Sequence, residues 1–398
     1  MKKSFISILN DVILYLFSIA LAIGSIIPFL LYNADESETE SLLLPVLAVV
    51  FSGIVTIRYG FFVTSRNIVV FSLLLLLGCF LGDFLYNSNS MNTRFLLKLL
   101  VVLITFICCI TYFSNNPQRI KDSIVVYTIS CVIVLIVVYF FGPDGIIQIS
   151  KGRMSVFGEN ANSTSSRMVF AALFIMYDLV RNKRNIVFRL LEIVSFLLLL
   201  LYIVQSGSRG SFISVAIGIA LMTLFSAYHT IKKIIIIITG VIVVLIAVPV
   251  LKNDENISFF ERFEELETGN IRSELMLNAI DIYEDYPIFG VGYNGYQVEK
   301  KNRRYSDLDS HCIVTSIMAI GGTFALISFL LLWIIMFIAA FKVRKSSMLP
   351  LIINICISFI ALKTGGVITY VFMWYCYALS YSLAFIETSN IATHKDDN

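Results

Sequence analysis

The sequence predicts an all-α polytopic membrane protein of about twelve transmembrane helices, with one long outward loop at about 252–310. Three observations predict it. Of the 398 residues, 58% are hydrophobic and only 14% charged, whereas a soluble domain carries about a quarter charged residues; the mean hydropathy is +0.85. Runs such as "IVVFSLLLLLGCFLGDFLY" and "IIIIITGVIVVLIAVPVL" are long enough to cross hydrocarbon as helices. Lys and Arg gather in every second short connection, as the positive-inside rule requires of an even number of spans.

In chain order the spans are expected at 8–32, 42–57, 68–86, 95–113, 123–142, 164–180, 186–204, 210–228, 233–251, 311–341, 349–366 and 367–386. With the N-terminus in the cytoplasm, the inner segments are "MKK", "RYGFFVTSR", "SNNPQRIKD", "RNKR", "HTIKK", "KVRK" and "HKDDN", nearly all basic. The first outer connection, "NADESETE", is acidic. Both termini therefore read as cytoplasmic. The apolar run after "MKK" is too long for the core of a signal peptide and reads as a first transmembrane helix. The seven cysteines, all but Cys312 well inside apolar spans, show no metal spacing and no disulfide framework. A net charge of +3 implies no nucleic-acid partner. Residues 1–398 read as a single integral membrane domain.

Only two outer connections are long enough to build specificity, 143–166 and 252–310. Both face away from the cytoplasm, which argues against ATP or nucleotide sugars as substrates. Within the longer loop, "NIRSELMLNAIDIYEDYPIFGVGYNGY" predicts a helix with Asn270 as N-cap and Ile271, Leu275, Ala279 and Ile282 on one face. Pro287 ends it, and Gly290, Gly292 and Gly295 form a flexible turn. Too short and too charged to span, this helix is expected to lie at the outer membrane–water boundary, apolar face down. Arg272 would then occupy its first turn, where backbone N–H groups and the helix dipole also favour an anion.

The 252–310 loop carries 13 acidic residues against 7 basic ones, so it is no general basic patch. An arginine there is by default salt-bridged to a neighbouring acid, and Arg262 in "FERFEELE" is the plainest case. His311 is the outward imidazole, just before the tenth span, with "GG" at 321–322 some three turns deeper. Taken alone it would be an interfacial residue without chemistry. Arg209 lies in "SGSRG", a tight turn between the seventh and eighth spans whose serines and glycines leave the guanidinium room to reach a ligand. An arginine fork binds phosphate oxygens in two places, and nearby hydrocarbon strengthens the attraction. Arg209, Arg272 and His311 are thus expected on one side of the membrane.

The order "GSRG" before a span, a long outer loop with "R…A…P.FGVG", then a histidine and, after nine intervening residues, a glycine, resembles the O-antigen ligase and polymerase superfamily over roughly residues 150 to 340. That superfamily comprises the Wzy-type repeat-unit polymerases and the WaaL-type ligases. Position 276 is Met where the family often has Trp, and Cys312 stands where Asn commonly follows the histidine. The resemblance implies a GT-C-like fold and an inverting, metal-independent glycosyltransferase needing no cofactor. It also implies a site on the outer face of the bacterial cytoplasmic membrane. The donor would be an undecaprenyl-pyrophosphate-linked glycan, and the acceptor a second lipid-linked repeat or a lipid A core. A chain-length regulator and a flippase would be working partners. By the same resemblance Arg209, Arg272 and His311 are the catalytic set. "GRMSVFGENANSTS" is similar to the family's earlier outer loop and adds Arg153, Asn160 and Asn162, with Arg262, as substrate-binding candidates.

The chemistry also stands on the residues themselves. Transfer from a pyrophosphate needs its leaving charge stabilised, and two arginines are available where no outward carboxylate pair or histidine cluster has ligand spacing. The acceptor hydroxyl must lose a proton as it attacks, and an imidazole suits that task near neutral pH. Polymerase is preferred over ligase because the motifs are degenerate. A twelve-helix secondary transporter is the reading from another class. It would want ionisable residues near the midplane of matched halves, yet Asp83, Arg167, Arg209 and Lys363 fall toward outer span ends, and the long loop has no counterpart in the first half.

Overall fold

A computed structural model of the chain describes residues 5–24, 43–60, 66–87, 92–141, 147–150, 153–157, 159–225, 267–303, 309–363 and 368–396. Among them are thirteen helices and one hairpin: α1 (Phe5–Ile23), α2 (Leu43–Tyr59), α3 (Arg66–Asn87), α4 (Thr93–Asn115), α5 (Pro117–Phe141), β1 (Ile147–Ser150), β2 (Arg153–Val156), α6 (Ala161–Arg181), α7 (Ile186–Gln205), α8 (Arg209–Phe225), α9 (Glu267–Asp285), α10 (Gly292–Asn302), α11 (Ile313–Lys342), α12 (Leu349–Lys363) and α13 (Val371–Asp396). Eleven of the expected spans coincide with helices, and the ninth, 233–251, lies outside the described residues. Five helices, α3, α4, α5, α7 and α11, are long and apolar enough to cross a membrane. Along α7 the exposed side chains include Ile186, Val187, Phe188, Leu190, Leu191, Val194 and Leu197. Such a continuous bare apolar surface suits lipid, not water. The fold is that of an all-α multi-pass membrane protein.

The chain divides into two compact units. One takes Met1–Asn10, Pro45–Ile120 and Glu267–Asn398, the other Asp11–Leu44 and Lys121–Leu266. In the first, α4 buries Leu99, Val102, Leu103, Phe106, Cys109 and Ile110 and packs on α13. Trp374 on α13 is the hub. Its ring lies edge-on to Phe106 of α4 at 5.1 Å and to Phe329 of α11 at 6.4 Å, while its indole N–H donates to the Ile368 carbonyl at 2.7 Å. A buried indole with its donor satisfied loses nothing by leaving solvent.

The glycine pair in α11 is more than a small-residue patch. Gly322 has φ 62°, which breaks the helix there and leaves backbone groups on either side without helical partners. The segment after α9 supplies them. Thr323 N–H donates to the Pro287 carbonyl at 2.8 Å, Phe324 N–H to Ile288 at 3.2 Å, and Val291 N–H to Ala319 at 2.9 Å. In a membrane interior such pairing is what makes a broken helix tolerable. The approach is close: a Cβ on Gly322 would stand 2.4 Å from the Ile288 oxygen. Gly322→Ala therefore meets both a left-handed backbone and a clash, and is expected to cost about 1–3 kcal/mol. Thermal unfolding of the detergent-solubilised protein should show a lower midpoint; an unchanged midpoint would mean the break is dispensable.

The α9 helix corrects three expectations. It begins at Glu267, so Asn270 lies inside it and is not its N-cap, and Arg272 sits in the second turn, away from the N-terminal amides. The expected face is buried, with Leu275 at 3% exposure and Ala279 and Ile282 at 0%. That face packs on α11, not on a membrane boundary. The Tyr283 hydroxyl and Thr323 Oγ1 lie 2.8 Å apart. Apolar side chains at helical spacing report only that a face is covered; protein and lipid read alike in the sequence.

In the second unit α6 is central, with every residue from Thr164 to Ile175 buried and packed against α7 and α8. The Tyr127 hydroxyl of α5 donates to the Arg167 carbonyl at 2.7 Å, and the hydroxyls of Ser18 (α1) and Ser123 (α5) meet at 2.6 Å. The connection at 143–166, expected as a loop, contains the β1–β2 hairpin, antiparallel with Ile147 opposite Val156 and Ser150 opposite Arg153.

Candidate functional site

In the second unit the hairpin, the start of α6 and the "SGSRG" turn come together. Arg153 leaves β2 and donates through Nη2 to Asn162 Oδ1 at 2.5 Å and through Nε to the Ser206 carbonyl at 3.4 Å. The turn itself is built as its residues suggest. Gly207 has φ 62°, and Ser208 precedes α8 as its N-cap, its Oγ accepting the Ser211 N–H at 3.4 Å. Ser211 in turn lies 2.8 Å from Ser165 of α6, hydroxyl to hydroxyl. Arg209 is thus the first residue of α8, on a turn laced to α6. Asn160 is the N-cap of α6: its side chain accepts the Asn162 N–H at 2.9 Å. That is a structural duty the sequence reading did not assign it.

Beneath this cluster is an ion pair that sequence reading left unconnected. Arg167 and Glu159 are both buried, at 5% and 7% exposure, and bonded to each other. Glu159 also accepts from Thr164 Oγ1 at 3.0 Å. A paired and hydrogen-bonded charge can sit in such a place where a lone one cannot.

The first unit holds Arg272 and His311. Arg272 reaches the end of α12, where Nη1 donates to the Lys363 carbonyl at 3.3 Å. Carbonyls at a helix C-terminus lack intrahelical donors and carry partial negative charge, so a guanidinium is well placed there. His311 is half-buried in the turn before α11 and has φ 51°, a left-handed backbone rare for a side-chain-bearing residue. Burial first, then the Arg272 charge, hold its imidazole below the ordinary histidine range, while Asp309 pulls the other way. Neutral imidazole is the form that accepts a proton. Arg272 and His311 therefore act on each other electrostatically. Arg262 lies outside the described residues.

Sequence reading missed what holds His311. Helix α10 is fastened to α3, where Asp83 Oδ1 accepts the Asn294 N–H at 3.4 Å and Oδ2 the Asn92 N–H at 3.3 Å. A Cβ at Gly292 would overlap Asp83, so only glycine admits this contact. From α10, Lys300 and Tyr296 grip Asp309 and Ser310, the two residues before His311. The only sequence trace of this is the i,i+4 spacing of Tyr296 and Lys300. Arg303, by contrast, follows the default for an arginine in an acidic loop, bonding Asp285 at 2.5 Å and Glu299 at 3.2 Å.

The long apolar helices and their exposed apolar faces define a multi-pass membrane protein. Residues 194–330, roughly a third of the chain, match the family model described as O-antigen ligase. That segment contains Arg209, Arg272 and His311; Arg153, Asn160 and Asn162 precede it. No curated protein matches the chain.

Proposed function

We propose that the chain is an inverting, metal-independent glycosyltransferase of GT-C-like architecture. It polymerises undecaprenyl-pyrophosphate-linked repeat units of O-antigen or capsule at the outer face of the bacterial cytoplasmic membrane. The observation that carries this reading is that, within the segment matching the family model, the Arg272 guanidinium lies within electrostatic reach of the half-buried His311 imidazole. Arg272 is assigned the negative charge that grows on the leaving pyrophosphate. His311 takes the proton from the acceptor hydroxyl as that oxygen forms its bond to C1 and the bond from C1 to the pyrophosphate oxygen breaks, inverting the centre. Arg209 is assigned a phosphate contact of its own, from the two-pronged geometry of its fork. A ligase that hands the glycan to a lipid A core would use the same steps, and the description of the matching family favours keeping it as the second reading.

The test is transfer by the purified protein from a lipid-linked repeat, offered a second lipid-linked repeat or a lipid A core as acceptor. Longer lipid-linked chains identify the polymerase, and glycosylated core the ligase; neither product, under conditions where donor binds, would remove the reading. Among the described residues no three His, Cys, Asp or Glu side chains come together in a metal-ligating group, and Arg272 is the group assigned to the leaving charge. Turnover is accordingly expected to persist in excess EDTA. Loss on chelation with recovery on added Mg²⁺ or Mn²⁺ would show that arginine is not the principal electrostatic catalyst.

A further inference from the structure

Three contacts from one face of α10 converge on the two residues that precede His311. Lys300 Nζ donates to Asp309 Oδ1 at 2.7 Å, Gln297 Nε2 donates to the same oxygen at 3.3 Å, and the Tyr296 hydroxyl oxygen accepts the Ser310 N–H at 3.2 Å. Gln297 and Tyr296 stand three and four residues before Lys300, so both share its helix face. Lys300 is only 1% exposed, while Asp309 remains 38% exposed in its side chain. Lys300 Nζ also stands 5.0 Å from the centre of the Tyr296 ring, a cation–π distance. Burial and then the Asp309 carboxylate push the Tyr296 phenol up to about 12, so its oxygen stays protonated and can accept the Ser310 amide across the working pH range. A buried ammonium is expensive unless it is paired, yet nothing about packing alone asks for a lysine here. Its partner is two residues from the imidazole, in a turn whose left-handed backbone at His311 must be held from outside.

We infer that Lys300 is a positioning residue for His311: through Asp309 it clamps the turn that presents the imidazole and neutralises the carboxylate of that turn. The inference rests on His311 being the base proposed above. The charges that face His311 among the described residues are Arg272 from α9 and Asp309 from its own turn, the second joined to Lys300 from α10. Arg272 disfavours the imidazolium and Asp309 favours it. Lys300 decides how much of the Asp309 charge is felt.

The test is the pH dependence of transfer by the full-length protein in lipid nanodiscs. In Lys300→Met the Asp309 carboxylate acts on the imidazole unopposed, so the acid limb of the profile moves to higher pH. The loosened turn also lowers kcat by about ten- to a hundredfold, with KM for the lipid-linked donor unchanged. Asp309→Asn removes the carboxylate and moves the limb the other way, to lower pH, which keeps the proposal testable if Lys300→Met does not accumulate. Lys300→Arg keeps the charge and returns the limb to its wild-type position. Opposite displacements in the two variants, with recovery in the third, are the expected result. An acid limb that stays in place in both Lys300→Met and Asp309→Asn, yet disappears in His311→Ala, overturns the role of Lys300 and leaves the base standing. A limb that persists in His311→Ala overturns both.

Discussion

His311→Ala is expected to lose transfer by about 10²–10⁴-fold, the range a positioned general base supplies, while affinity for the lipid-linked donor stays near wild type. The split follows from where the residue sits. Its imidazole is in a half-buried turn before α11, and the nearby charge that could hold a pyrophosphate belongs to Arg272 on another helix. Removing the ring takes away the proton acceptor and leaves the guanidinium. The pH dependence has a definite sign. Because burial and Arg272 lower the proton affinity of the imidazole, it becomes neutral at a lower pH than a free histidine. Transfer through it therefore rises as pH climbs through that lowered value and is level above it. Donor binding and turnover measured on the same purified variant, with a pH series, decide the matter. Wild-type turnover at normal protein level would return His311 to an interfacial residue without chemistry.

What the sequence made legible, and what it did not, follows from how local each signal is. The helices of 66–87, 93–115 and 186–205 were plain because each is a membrane-length apolar run interrupted by polar residues. The "SGSRG" turn was legible for a similar reason: Gly207 and Ser208 carry their conformational and capping roles in their own chemistry. The start of α9 was misplaced because Asn270 is a good cap by type, and no residue nearby outranks it locally. The covering of its apolar face by α11 is a tertiary fact that periodicity cannot carry. The hairpin at 147–156 was missed because two four-residue strands give too little alternation to stand out from a polar connection. Among the candidate residues, Arg272 and His311 are singled out by residue type and order alone. Their supports are not, because the partner of Arg272 is a backbone carbonyl 91 residues away. Lys300, in "VEKKN", looks like any solvated helical turn until the structure shows it buried.

Arg272→Lys is expected to be nearly as damaging as Arg272→Ala, each slowing transfer by about 30- to 1000-fold, which corresponds to roughly 2–4 kcal/mol of transition-state stabilisation. A guanidinium offers several donors in one plane, so it can hold the Lys363 carbonyl with Nη1 and still present N–H groups to phosphate oxygens. An ammonium is a compact point charge on a shorter reach and cannot divide itself between the two. The same residue also acts on His311 through charge alone, which lets the two contributions be separated. Lysine keeps a positive charge near the imidazole, so the acid limb of the Arg272→Lys profile should lie close to that of the wild type although the plateau rate falls. Alanine removes the charge, so its acid limb should move to higher pH as well. A lysine variant that is both slow and unshifted would therefore locate the loss in the geometry of the fork. One that retains the wild-type rate would mean that Arg272 contributes only its charge, and the assignment of this residue to the leaving pyrophosphate would be withdrawn.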